Sequence, residues 1–354
     1  MTPAPVSSCS CTQETDPAPS NCADQDRSSP EILVADSRIT AANRLDHFLA
    51  RWAVNRGGHR IMPGLYRLGN PGPDSPVFAS ANYTLSFDAL RSALAGVDAY
   101  ILVLDTKGIN VWCAAGKGTF STDELVRQIG TAGLAGIVRN RRIIVPQLGA
   151  PGISWPDVLR RTGFTVEYGP VRARDLPEYL RSHTATPAMR RVEFPLRDRA
   201  VLAPVELVHV LLPALVAAIM FWFLAGLSAA LAVVAAVIAG TILFPILLPF
   251  IPTHDFSTKG FILGGIVALP FAVLYGTDPH LAGWLAIACA IIPLLIIPAV
   301  TAYLALNFTG STPFTSRTGV KKEIFRYVPV MAFMAGAGVL LGILLGAGRL
   351  LGAI

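Results

Sequence analysis

The stretch Ala99-Tyr100-Ile101-Leu102-Val103-Leu104-Asp105-Thr106-Lys107-Gly108-Ile109-Asn110-Val111-Trp112-Cys113-Ala114-Ala115-Gly116-Lys117-Gly118 joins six consecutive apolar residues to a short segment bracketed by glycines. A run of six apolar residues closed by Asp105 has the length and bounds of a fully buried strand. Asn110 is placed to cap a helix, because its short side chain can accept from a free N–H of the first turn. Cys113 then falls at the third helical position, with Gly116 and Gly118 ending the helix. A helix N-terminus favours anions, which predicts partial thiolate character for Cys113, and Lys117 adds positive charge nearby. Ala114, Ala115 and Gly116 predict a helix end without bulk, against which a large flat ligand could lie. The segment leaves a strand at its carboxyl end, where open α/β sheets bind their ligands.

Working outward, Phe120-Ser121-Thr122-Asp123-Glu124-Leu125 predicts a capping box from Ser121 to Glu124, with Phe120 and Leu125 as a staple. The cysteine helix is therefore a separate short unit, a lid rather than part of a long core helix. On either side, short apolar runs alternate with helical stretches. Strands are expected at 77–79, 142–146 and 164–168, with helices at 86–95, 155–162 and 175–181. Such alternation gives βαβ units and a mostly parallel sheet, an α/β fold. Upstream, Ile39, Ala42, Leu45, Phe48, Leu49 and Trp52 predict a helix over 38–56. The Pro/Gly segment from Pro63 to Pro73 reads as a loop.

The chain is 53% hydrophobic and 15% charged, against roughly 25% charged for a soluble domain. The shortfall lies almost entirely beyond residue 200, where five apolar segments stand near 202–225, 227–251, 260–275, 281–306 and 327–348. Each approaches the ~20 residues a spanning helix needs, the third being short. The organisation expected is a polar, disordered tail over 1–30, a helix and Pro/Gly-rich lead-in over 31–75, an α/β domain over 76–184, a basic linker over 185–200 and a transmembrane domain over 201–354. Nine Lys/Arg (Arg190, Arg191, Arg197, Arg199, Lys259, Arg317, Lys321, Lys322 and Arg326) flank one side of the spans, against Arg349 on the other. Positive-inside bias then puts the α/β domain in the cytoplasm and the C-terminus outside, a multi-pass protein in contact with membrane lipid.

The net charge of +6 lacks the basic stripe interleaved with aromatics that nucleic-acid binding requires. Residues 1–30 carry no apolar signal-peptide core, so the cysteines Cys9, Cys11, Cys22 and Cys113 are expected to stay reduced. Cys9, Cys11 and Cys22 could capture a soft metal, though a solvated tail with incidental cysteines is the simpler reading. Gly116-Lys117 imitates a phosphate-binding loop, but Val111 stands at the first glycine position and Gly118 replaces Ser/Thr. Taken alone, the residues leave Cys113 open as a metal-ligating thiolate, a nucleophile partnered by His183 or a buried structural thiol. Glu206 with His209, Cys289 and the Arg139/Arg141/Arg142 group read more simply as headgroup-level, packing and solvated residues. The last group could also dock an acidic ferredoxin.

Asn110 to Lys117 resembles the cap-helix motif of the mercury-methylating corrinoid proteins, the HgcA family. The resemblance extends to Pro63-Gly64-Leu65-Tyr66 with Gly69-Asn70-Pro71, to Asn82-Tyr83, to Val145–Gly152 and to Tyr168–Ala173. In the membrane part it takes in Asn307–Thr312 and Gly319–Glu323, so that it covers about residues 60–354. The α/β domain is also similar to the corrinoid domain of corrinoid iron–sulfur proteins. The resemblance implies a Rossmann-like corrinoid-binding domain followed by an all-α transmembrane domain of five helices. It implies a cobalamin-type corrinoid, with Cys113 as catalytic residue and lower ligand to its cobalt. Asp105, Thr106, Gly108, Asn110, Val111, Trp112, Cys113, Ala114, Ala115, Gly116, Lys117, Gln147, Leu148, Gly149 and Ala150 are the implied cofactor contacts. A thiolate below cobalt would make the methyl group above it more carbanion-like, suited to the soft electrophile Hg(II). The chain lacks clustered cysteines for an iron–sulfur centre, so the implied partners are a ferredoxin-like electron donor and a methyl-donor methyltransferase. The alternatives are a corrinoid methyl carrier for another acceptor, such as an arsenic species or a one-carbon-pathway protein, and a metal transporter with a soluble sensor domain. The spans hold few of the ionisable residues that mark ion pathways, which disfavours the transporter.

Overall fold

The computed structural model describes residues 31–55, 57–309 and 317–352. The expectations for the tail, including Cys9, Cys11 and Cys22, lie outside the described residues. Six strands form one sheet: β1 (Leu33–Ala35), β2 (Gly64–Leu68), β3 (Val77–Ala81), β4 (Ala99–Leu104), β5 (Arg142–Val145) and β6 (Thr165–Tyr168), in the order β1-β2-β4-β3-β5-β6. The four strands β4, β3, β5 and β6 are mutually parallel, while β2 runs antiparallel to β4 and β1 parallel to β2. The mostly parallel α/β sheet is as expected.

The Pro63–Pro73 segment is not wholly a loop. Leu65 and Leu68 are buried and Gly64–Leu68 pairs with β4 along its whole length. Pro63 and Pro71 stand outside the paired residues, so neither removes a ladder N–H. The sheet thus also takes in β1 and β2 from the lead-in, with α1 (Ala41–Arg51) between them.

The remaining helices of the sheet domain are α2 (Thr84–Ala93), α3 (Val111–Lys117), α4 (Thr122–Thr131), α5 (Leu134–Ile137), α6 (Trp155–Thr162) and α7 (Leu176–Ser182). Alternation along the strands splits the core in two. Val77, Ala79, Leu102, Leu104, Ile143 and Val145 face α3, α4 and α6 through Val111, Phe120, Leu125, Val158 and Phe164. Phe78, Ile101, Val103 and Ile144 face α2 and α7 through Phe87, Leu90, Leu94 and Tyr179.

Beyond α8 (Leu196–Ala200) the chain is helical: α9 (Ala203–Ala225), α10 (Leu227–Ile238), α11 (Phe244–Leu247), α12 (Phe256–Gly276), α13 (Gly283–Phe308) and α14 (Arg317–Leu350). A π-helical turn over Ala239–Leu243 joins α10 to α11, so the described residues of this part hold five helices long and apolar enough to cross a membrane. The third extends into its flank to reach 21 residues. Gly260 and Gly264 let α12 close on α13, since a Cβ at either would lie 2.5 Å from the Ala302 Cα or 2.6 Å from the Pro298 Cα. Three charged side chains are buried at one end of this bundle. Arg199 donates to the carbonyls of Pro245 and Ile246, and Lys259 to those of Leu248 and Ile251. Glu323 accepts from the Ser257 N–H and hydroxyl, both at 3.0 Å. The flank before α9, the α11–α12 loop and the start of α14 therefore meet at one end.

Candidate functional site

The cysteine helix forms as its caps predict. Asn110 Oδ1 accepts from the Cys113 N–H at 2.9 Å, and Gly118 takes the left-handed conformation at φ 81°. Gly116 lies inside the helix rather than ending it. The next junction differs from expectation. Ser121 Oγ accepts from the Glu124 N–H at 3.3 Å, but the Glu124 carboxylate does not close the box. It accepts instead from the Asp105 N–H at 2.8 Å, from Gln128 and from both arms of Arg127. An N–H at the end of β4 competed successfully with the cap for that carboxylate, tying the site loop to α4.

The loop between β4 and α3 is organised by a residue that sequence reasoning passed over. Asn82, buried at the end of β3, accepts through Oδ1 from the Thr106 and Gly108 N–H groups at 3.0 Å each, and donates to Asp105 at 3.2 Å. Thr106 is fully buried and donates its hydroxyl to the Ile109 carbonyl at 2.7 Å. Lys107 and Gly108 both turn through positive φ, 60° and 71°, which brings the chain back to Asn110. Only the quoted pair Asn82-Tyr83 hinted at this, since the bonds span 24 and 26 residues.

Two carboxyls here are held below their ordinary range. For Asp105 the chief cause is the hydrogen bond from the Lys107 ammonium. For Glu124, partial burial pushes the group up, and bonds from Arg127, Asp105 N–H and Gln128 more than offset it. A depressed folded-state value contributes stability above the ordinary carboxylate range, and that stability is lost as pH falls through the folded value. Acid titration should therefore loosen the β4–α4 junction below the usual Asp/Glu range, and Glu124→Gln should flatten that acid limb in a denaturation series.

The sequence predicts a bare helix end at Ala114, Ala115 and Gly116; only Gly116 provides it. Ala114 and Ala115 are buried, with Ala115 set against the 3-10 turn Gln147–Gly152. A Cβ at Gly152 would lie 2.0 Å from the Phe120 carbonyl oxygen and 3.2 Å from the Ala115 Cα, so this close docking needs glycine. Gly149 is likewise buried against Phe120, while Gln147 accepts from Arg190 at 2.7 Å. Leu148, Ala150, Trp112, Cys113 and Gly116 are half-buried and Lys117 is exposed. The accessible stripe of α3 is thus Trp112, Cys113 and Gly116, with open space above Gly116.

Beside this stripe lies an open, mainly apolar cleft of about 310 Å³. Its walls are Phe78, Ala79 and Ser80 of β3, Ile144 of β5 with Pro146 and Leu148, the Gly169–Val171 turn, and Ser86, Ala89 and Leu90 of α2. Asn110, Val111 and Trp112 form its rim; Cys113 stands next to them but does not line it. In the order β4-β3-β5 the sheet reverses direction of travel between β3 and β5, and the cleft sits at that switch point. His183, the histidine left open as a partner for Cys113, ends α7 on the opposite face of the sheet, and Arg142 begins β5 at the far edge.

Residues 56–179 match the family model of the CO dehydrogenase/acetyl-CoA synthase delta subunit. The chain is 32% identical over 127 residues to an acetyl-CoA decarbonylase/synthase complex subunit gamma of Methanopyrus kandleri, covering 35% of this chain and 27% of that protein. It is 26% identical over 129 residues to the corrinoid/iron-sulfur protein large subunit of Moorella thermoacetica, covering 36% of this chain and 28% of that one. The chain spans about a quarter of the length of these relatives. The residues matched by the family model take in strands β2 to β6, the cleft and α3; β1, α1 and the membrane-length helices lie outside them.

Proposed function

We propose that this chain is a membrane-held, corrinoid-dependent methyltransferase that converts Hg(II) to methylmercury, with the Cys113 sulfur as lower axial ligand to cobalt. The observation that carries the reading is the placement of Cys113: half-exposed, at the third position of a capped short helix, beside a cleft at the switch point of a corrinoid-type sheet. The residues present suit a flat macrocycle. Gly116 offers open space on the same stripe as Cys113, and Trp112 walls the rim. When bound, a corrinoid supplies the cobalt that carries the methyl group. Asn110 holds the Cys113 backbone, Asn82 holds the loop that presents Asn110, and Gly152 fixes α3 on the sheet. Asp105, Thr106, Gly108, Ala114, Ala115 and Gly149 act by shaping this support, whereas Val111, Trp112, Cys113, Gly116, Lys117, Leu148 and Ala150 are the nearer contacts.

The chain's five cysteines include no iron–sulfur cluster motif, so a ferredoxin-like donor and a methyl-donating methyltransferase are its proposed partners. Such a donor would have to approach the α3 edge. Arg139, Arg141 and Arg142 lie at the start of β5, the far edge of the sheet, which argues against docking there. A second reading keeps the corrinoid and changes the acceptor, and the relatives named as subunits of acetyl-CoA complexes favour keeping it in view.

Purified protein supplied with corrinoid should show a visible spectrum with sulfur-to-cobalt features, and an assay with Hg(II) should separate the two acceptors. The proposed orientation has the sheet domain inside. Alkaline phosphatase fused after Ile354 is expected to be active and after Arg199 inactive; the reverse pattern would overturn it.

A further inference from the structure

Helix α1 presents an apolar stripe that nothing among the described residues covers. Leu45, Phe48 and Trp52 are spaced three and four residues apart, which places them on one face. Leu45 and Phe48 are 59% and 55% exposed, and the Phe48 and Trp52 rings touch at 5.9 Å. Val54 and Met62, the latter 65% exposed, lie just beyond the helix. Arg44 and Arg51 are exposed along one border of the stripe. The helix is not loosely held. His47 meets Asp88 of α2 at 2.8 Å, His59 meets Asp46 at 2.7 Å, and Arg91 of α2 donates to the carbonyls of Asp36 and Arg38. Ordering so many groups to hold an apolar face toward water would be unfavourable unless something covers it.

The root of the membrane part lies close by. Asp198 of α8 shares a groove with Ala89, Ser92 and Ala93 of α2. α2 is also the helix that α1 meets through the His47–Asp88 bond, so α1 and the root of the membrane part both border α2. Leu45, Phe48 and Trp52 all precede residue 56, outside the residues that match the family model. A short helix with aromatic and aliphatic residues on one face and arginines at its border has the character of one that lies in a bilayer interface. Its cations complement anionic headgroups.

We propose that α1 lies on the surface of an anionic bilayer, Leu45, Phe48 and Trp52 inserted at headgroup level and Arg44 and Arg51 on lipid phosphates. This contact orients the site, independently of what the site binds. The chain leaving α1 is fixed by buried His59, and the Arg60 side chain lies over Gly108, the turn that leads to Asn110 and Cys113.

The test uses the full chain in bilayers of phosphatidylcholine and phosphatidylglycerol, with a photoreactive amino acid in place of Phe48 and, as control, of exposed Arg160 on α6. The position-48 probe is expected to give about tenfold more lipid adduct than the position-160 probe, as interfacial insertion requires. Leu45→Glu with the probe moved to Trp52 should lower the adduct severalfold. A cross-link to a second copy of the chain, equal adducts at both positions, or an adduct indifferent to Leu45→Glu would each overturn the proposal.

Discussion

Replacing Cys113 by alanine is expected to abolish methylmercury formation while leaving the sheet domain folded. The side chain is half-exposed and the helix owes its place to other atoms: the Asn110 cap, the left-handed Gly118 and the buried Ala114 and Ala115. Alanine adds no volume and removes no internal hydrogen bond, so thermal unfolding should shift little. The sulfur-to-cobalt features should vanish with the activity. Cys113→Ser is the finer comparison, because its hydroxyl is close in size but a far poorer donor. Cys289→Ala is the control, since that thiol sits half-buried in α13. If both Cys113 variants methylate Hg(II) at the parental rate, the ligand assignment is wrong.

Asn82→Leu is expected to be the most damaging single change near the site that touches no ligand. It removes the acceptor for the Thr106 and Gly108 N–H groups and the donor to Asp105. A buried donor left unsatisfied costs about 1–3 kcal/mol, so the loss should approach about 2–5 kcal/mol in denaturant titrations. Corrinoid uptake should fall with it, as the loop that carries Asn110 loses its pin. Unchanged stability together with unchanged uptake would show that the loop holds its shape without Asn82.

The difference between these residues is also the difference between what could and could not be read in the sequence. The Asn110 cap, the position of Cys113 and the Gly118 terminus are local, fixed by side chains three to five residues apart. So is the β4 strand, whose six residues are all buried. Asn82 acts on residues 24 and 26 positions away, and nothing in its neighbourhood announces that. β2 was hidden for a related reason: its residues pair with β4 across the sheet, and the flanking prolines and glycines spoke louder than Leu65 and Leu68. Glu124 shows a local pattern overridden, since the free N–H of Asp105 took the carboxylate a capping box would have used. Ala114 and Ala115 show that small residues signal close approach without saying of what; here it is the Gln147–Gly152 turn.

Arg199 and Lys259 entered the charge count as two of the cations that mark one side of the membrane, yet both are buried and cap carbonyls at the end of the second span. Flipping the α8 flank or the α11–α12 loop through the bilayer would require stripping four carbonyls of their donors and carrying two charges across hydrocarbon in the same event. Whichever way the spans lie in a bilayer, these contacts would oppose their reorientation once formed.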